Sequence, residues 1–73
     1  MRRTDLNLTC AHRVRELRQR LGLSQDELAH KADLHRTYIG AIERNERNIT
    51  LRTLARLAAA LRCRPADLLE AEE

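Results

Sequence analysis

The sequence predicts an all-α fold, five short helices in a single domain. Three observations predict it. Apolar residues recur at steps of three or four through almost the whole 73-residue chain. The apolar mass is nearly all Leu, Ala and Ile, with Tyr38 the one aromatic residue, a composition that favours helices. One Pro and two Gly leave few turn signals for an all-β alternative.

The elements follow in order. Leu6, Cys10, Val14, Leu17 and Leu21 form the apolar stripe of a first helix over about 6 to 21, and Gly22 is its natural stop. Ser24 and Glu27 make a capping box, with Leu23 and Leu28 as its hydrophobic staple, so a second helix starts at about 25. It turns Leu28, Ala29 and Ala32 inward and stops near Asp33, a residue type that tolerates the left-handed conformation and lets Leu34 drop into the core. A third helix spans about 36 to 44 and ends on Asn45, the second choice after Gly for a left-handed cap. A polar loop to Ile49 follows. Thr50 caps a fourth helix with Leu51, Leu54, Leu57, Ala58 and Leu61 on one side, opposite Arg52 and Arg56. Cys63 is a buried tether, and Pro65 opens a short fifth helix carrying Leu68 and Leu69. An acidic tail, 70 to 73, is expected to fray.

Length and charge narrow the function. A domain this small buries only roughly 60% of its unfolded surface, so it gains from a partner subunit and has little room for an enclosed catalytic pocket. The net charge of +3 hides an asymmetry: without Asp67, Glu70, Glu72 and Glu73, positions 1 to 66 hold 14 basic and 7 acidic residues. Thirteen of the cations are Arg, whose planar fork suits phosphates and guanine edges. A basic body points to nucleic acid first and an acidic membrane surface second. No apolar run approaches the 18 or so residues of a membrane span, and no signal-peptide core is present. Cys10 and Cys63 fall in apolar positions and read as reduced core residues, which implies a cytoplasmic protein.

The third helix carries the functional signal. At 100° per residue, Ile39, Ile42 and Glu43 share one side, while Thr37, Gly40, Ala41 and Arg44 lie roughly opposite. A solvated face would hold Lys, Glu and Gln, and a mid-helix Gly costs about 1 kcal/mol relative to Ala, so Gly40 and Ala41 suggest close approach of another surface. In a DNA groove Arg36 can present two donors to guanine O6 and N7, and Thr37 can reach a base edge or a thymine methyl. Tyr38, on the flank, and Arg44, at the helix end, suit phosphates. Gln25 and the amides at the start of the second helix add a phosphate site. Glu43, on the inward side, needs a partner, and Arg13 or Arg18 on the first helix could supply it.

These residues resemble the Cro and phage-repressor (XRE-type) helix-turn-helix family. The matching features are Arg18, Gly22-Leu23-Ser24-Gln25, Leu28-Ala29, Ala32, Leu34, Arg36-Thr37-Tyr38-Ile39, Ile42-Glu43-Arg44, Arg47-Asn48 and Leu54 to Leu61. The resemblance covers about residues 10 to 69, with the helix-turn-helix unit at 24 to 45. It implies a compact five-helix bundle and a homodimer on a palindromic double-stranded operator. It places Arg36, Thr37 and Ala41 on bases, Gln25 and Tyr38 on phosphates, and selects Arg18 over Arg13 as the partner of Glu43. By likeness to the controller proteins of restriction-modification systems, Arg47 reaches the DNA from the loop after the third helix. Departures are Asp33 and Asn45 in place of Gly, Ile49 in place of Pro, and His35 in place of the usual cap; phosphate contact is one role open to the His35 ring.

A free-standing domain of this kind is similar to controller proteins, small phage repressors and antitoxins, and the Arg-Thr-Tyr-Ile-x-x-Ile-Glu-Arg string points towards controllers. A toxin-binding module would need a longer extension than Glu70 to Glu73. An enzyme is disfavoured: Cys10 lies in the core stripe, and His30 and His35 are not at metal-ligand spacing, so no cofactor or metal is expected. Leu68 and Leu69 are candidates for the dimer interface, the alternative being that both close the core. The chain is expected to be bacterial or phage-encoded, and nucleoid-associated when bound. Activation would require a surface for RNA polymerase, for which Asp26, Glu27 and Glu46 are candidates.

Overall fold

In the computed structural model, which describes residues 5–70, four α-helices are followed by a single 3-10 turn. They are α1 (Leu6–Arg20), α2 (Gln25–Ala32), α3 (Arg36–Glu43) and α4 (Leu51–Ala60), then the 3-10 helix Pro65–Leu68. Of the acidic tail, residues 71–73 lie outside the described region. The expected short fifth helix is thus present as a 3-10 helix, not a fifth α-helix. Its bonds span three residues, from the Asp67 N–H to the Arg64 carbonyl and from the Leu69 N–H to the Ala66 carbonyl. Four residues opened by a proline are too few to establish α-type bonding.

Each α-helix begins on a side-chain cap. Asp5, Ser24, His35 and Thr50 each accept a backbone N–H of the first turn. At Ser24 the box is reciprocal: Oγ accepts from the Glu27 N–H at 3.0 Å, and Glu27 Oε1 accepts from the Ser24 N–H at 2.8 Å. That backbone bond, then the bond to the Ser24 hydroxyl, draws the Glu27 carboxyl below its ordinary pKa.

All four α-helices stop in the same way. Gly22, Asp33, Asn45 and Arg62 have φ of 71°, 57°, 58° and 59°. The next residue's N–H reaches back over the last turn, with Leu23 to Arg18, Leu34 to Ala29, Glu46 to Ala41 and Cys63 to Ala58 at 2.9–3.0 Å. This is the Schellman closure, which satisfies carbonyls that would otherwise be orphaned.

The core is formed by Cys10 and Val14 of α1, Leu28 of α2, Ile39 and Ile42 of α3, Leu57 of α4, and Leu68, all essentially without solvent exposure. Leu68 therefore closes the core and has no surface left for a partner; of the two candidate interface leucines only Leu69 is partly open. Stripe ends depart from expectation. Leu6 and Leu21 flank α1 in solvent, and Leu51, at the first position of α4, is 84% exposed. In α4 the buried face begins instead at Thr53 and Leu54. Cys10 and Cys63 are both free thiols, and burial, then the charge of Cys63, pushes Cys10 up to about 11. Cys63 is only partly buried.

Candidate nucleic-acid interface

The third helix is held from below by its own carboxylate. Glu43 is buried among α1, α2 and the inner side of α3, with its side chain fully out of solvent. Arg18 Nε donates to Glu43 Oε2 at 2.7 Å and Arg18 Nη2 to Oε1 at 3.0 Å, the planar two-point grip of a guanidinium on a carboxylate. Arg18 Nη1 donates to the Leu23 carbonyl at 2.8 Å, tying the same cation to the turn before α2. Gln25 Nε2, from the first position of α2, donates to Glu43 Oε1 at 3.1 Å, and Arg15 Nε completes the set at 3.4 Å. One carboxylate thus links three helices. Arg13 is engaged elsewhere, with Nε on the Asp67 carbonyl at 2.9 Å and Nη1 on Glu16 at 2.6 Å.

Gln25 thus has a second role beside the one its sequence position suggests. One hydrogen of its amide goes inward to Glu43, which leaves the other for a phosphate. Its Oε1 also lies over Gly40, 3.7 Å from where a Cβ would stand, and Arg44 Nη1 is 3.0 Å from the same point. The expectation that Gly40 is bare clearance for an incoming surface is corrected: Gly40 is buried, and the absent side chain makes room for Arg44 and Gln25.

On the outer side His35, Thr37, Tyr38, Ala41 and Arg47 line one shallow depression. Its floor is Ala41, 9% exposed, a methyl group small enough to let another surface in. His35 frames one edge and is also the cap of α3, its Nδ1 accepting the Thr37 N–H at 3.1 Å. The ring nitrogen thus caps α3 where Ser, Thr or Asp would use an oxygen. With Nδ1 used as the acceptor, Nε2 is the ring nitrogen left for another partner. Arg47 stacks its guanidinium 5.1 Å from the centre of the Tyr38 ring, orienting the loop cation over the depression.

Two further cations flank this surface. Arg36, exposed in the first turn of α3, pairs through Nε with Asp26 Oδ1 of α2 at 3.2 Å. Arg44, just after α3, pairs with Glu46 at 3.1 Å. The acids considered as a polymerase surface are therefore each engaged, Asp26 and Glu46 in ion pairs and Glu27 in the capping box. The roles of Asp26 and Arg15 escape a reading of separate helices, because both depend on how neighbouring helices meet. Arg15 lies three residues before Arg18 on α1, so once Arg18 is placed on Glu43 the spacing puts Arg15 on the same side.

Among the described residues no cluster of His, Cys, Asp or Glu could hold a metal ion, and no helix is long and apolar enough to cross a membrane.

A short helix presented outward on a buried ionic strut, joined by a tight turn to a helix packed behind it, defines a helix-turn-helix module. A family model described as helix-turn-helix matches residues 14–68, and the chain belongs to that family, in its XRE-type branch. It is similar to the control protein C.SmaI of Serratia marcescens, 53% identical over 57 residues, spanning 78% of this chain and 68% of that one. Among solved structures it is similar to the restriction-modification controller protein C.AhdI from Aeromonas hydrophila. That likeness has a TM-score of 0.82 at 42% identity over 85% of this chain and 94% of the other. It is also similar to the controller protein C.Esp1396I, described as a tetramer in complex with its natural 35 base-pair operator. There the TM-score is 0.81 at 32% identity, over 90% and 87% of the two chains.

Proposed function

We propose that this chain is a sequence-specific double-stranded DNA-binding transcriptional regulator, a controller protein of a restriction-modification system, acting as a homodimer on a palindromic operator. The observation that carries this reading is the outer surface of α3, where Arg47 lines a shallow depression with Thr37, Tyr38 and Ala41, and Arg36 and Arg44 stand at the two ends of a helix braced by Glu43. Its likeness to control proteins, one of them described on its operator, supports the same reading. The chain acts by binding and is not an enzyme.

In this reading Arg36, Thr37, Ala41 and Arg47 meet base edges. A guanidinium offers paired donors to guanine, while Thr37 and Ala41 offer methyl groups to thymine. Tyr38, through its hydroxyl, His35, through its Nε2, and Arg44 hold phosphates, with the spare Gln25 hydrogen beside them. Arg18 and Glu43 touch no DNA and fix the angle of α3. Leu69, partly open beside the 3-10 helix, belongs to the dimer interface. The protein works in the cytoplasm and joins the nucleoid when bound. A contact with RNA polymerase through Asp26, Glu27 or Glu46 would have to displace the bonds those groups already make.

Two-fold symmetry sets the expected operator, with recognition helices about 34 Å apart on half-sites about ten base pairs centre to centre. Selection of bound duplexes from a random library should recover inverted repeats at that spacing. No enrichment over the starting library would overturn the reading. Sedimentation at micromolar concentration should show a dimer, and a monomer with and without DNA would remove the symmetric arrangement.

A further inference from the structure

The geometry points to Asp26 as a specificity-determining residue that positions Arg36 for a guanine edge, an inference that rests on the operator-binding reading above. Asp26 and Arg36 come from different helices, the first turns of α2 and α3, and meet across the turn at 3.2 Å. Both are largely exposed, at 73% and 64% of their side chains, so the pair lies on the surface rather than in the fold. The contact is an ion pair in which Nε is the guanidinium nitrogen recorded against Asp26 Oδ1. The two terminal nitrogens, at the far end of the guanidinium, are the pair able to face O6 and N7 of one guanine.

A long arginine without such a partner samples many rotamers, and ordering it at an interface has an entropic cost. Drawing the guanidinium towards the Asp26 carboxylate in advance reduces that cost for orientations that keep the pair. The carboxylate has a second effect of opposite sign. It repels the nearest phosphates, so it weakens binding to any duplex and leaves guanine contact as the favourable use of Arg36. Asp26 therefore raises discrimination while lowering sequence-independent affinity, a combination that a purely structural acid would not produce.

The test uses Asp26→Asn, which keeps the size and the exposed position, alone and combined with Arg36→Ala. Affinities are measured for the selected operator duplex and a scrambled duplex of equal length, at one salt concentration. Asp26→Asn should bind the scrambled duplex more tightly, and the operator-to-scrambled ratio should fall by about fivefold, the upper end of what an exposed ion pair contributes. In the Arg36→Ala background the same change should leave the ratio where it was. Equal strengthening on both duplexes, with the ratio unchanged, would make Asp26 a mere negative charge and overturn the inference. A ratio loss of the same size without Arg36 would overturn it as well, since the effect would not pass through that side chain. If the unsubstituted chain fails to prefer any selected duplex, the operator reading itself fails, and this inference with it.

Discussion

Arg18 and Glu43 meet by two parallel hydrogen bonds, 2.7 and 3.0 Å, across the junction of α1 and α3. Burial pushes the Glu43 carboxyl up. Hydrogen bonds from Arg18 and Gln25, the Arg18 charge and the Arg15 bond outweigh that push and hold it below its ordinary 4.5. A carboxyl whose folded pKa is depressed adds stability that is complete above its unfolded pKa and is lost as pH falls through the folded value. The domain should thus lose Glu43's contribution below pH 4.5 and keep it at neutrality. Glu43→Ala should cost about 3 to 5 kcal/mol at neutral pH, because it strands a nearly buried guanidinium. Glu43→Gln should also flatten the acid limb of thermal stability. Calorimetry across the acid range checks both; an unaltered acid limb in Glu43→Gln would mean that other carboxylates set it.

Arg36 should show itself as a base reader. Arg36→Ala is expected to cost about 1 to 3 kcal/mol on the operator and to relax preference at one base position. Titration against operators changed one base pair at a time reads this directly. An equal loss on every duplex would reassign Arg36 to the phosphates.

Much of this site is legible in the sequence because it depends on local rules. The Ser24–Glu27 box, the left-handed stops at Asp33 and Asn45 and the inward face of Ile39, Ile42 and Glu43 each follow from spacing within one helix. What escapes depends on several helices at once. The Asp26–Arg36 pair needs the angle between α2 and α3, and the cover of Gly40 needs the rotamers of Arg44 and Gln25. The exposure of Leu51 follows from where its neighbours end, which periodicity does not record. His35 is a different case. Its ring acceptor stands where an Asn or Asp oxygen would, so its capping role was available from position alone.

Arg44 should behave as a phosphate contact. Arg44→Ala is expected to weaken binding on operator and scrambled duplexes alike and to reduce the slope of log affinity against log salt by about one unit. Affinities at four or five salt concentrations give the slope, and an unchanged one would take Arg44 off the backbone.

Gly40 separates stability from binding. Ala in a helix interior is favoured over Gly by about 0.8 to 1 kcal/mol, and the close neighbour of the new Cβ is the tip of a flexible arginine, Arg44 Nη1 at 3.0 Å. Gly40→Ala should therefore leave thermal stability unchanged or raise it by up to about 1 kcal/mol. Operator affinity should fall, because Arg44 has to move from its place over the helix. A loss of stability greater than about 1 kcal/mol would show that Gln25 and Arg44 cannot give way.

Arg62 offers the last test, away from the DNA face. It ends α4 at φ 59°, the only one of the four Schellman positions filled by a long cationic side chain. The left-handed conformation costs an ordinary residue roughly 1 to 2 kcal/mol, which Gly avoids, while Gly loses more backbone entropy on folding. The first effect exceeds the second where the conformation is already fixed by the Cys63 N–H to Ala58 carbonyl bond at 2.9 Å. Arg62→Gly should stabilise the domain by about 0.5 to 1 kcal/mol, with operator specificity unchanged. Denaturant unfolding of the two proteins measures the difference, and destabilisation would mean that the Arg62 side chain contributes packing greater than the strain it carries.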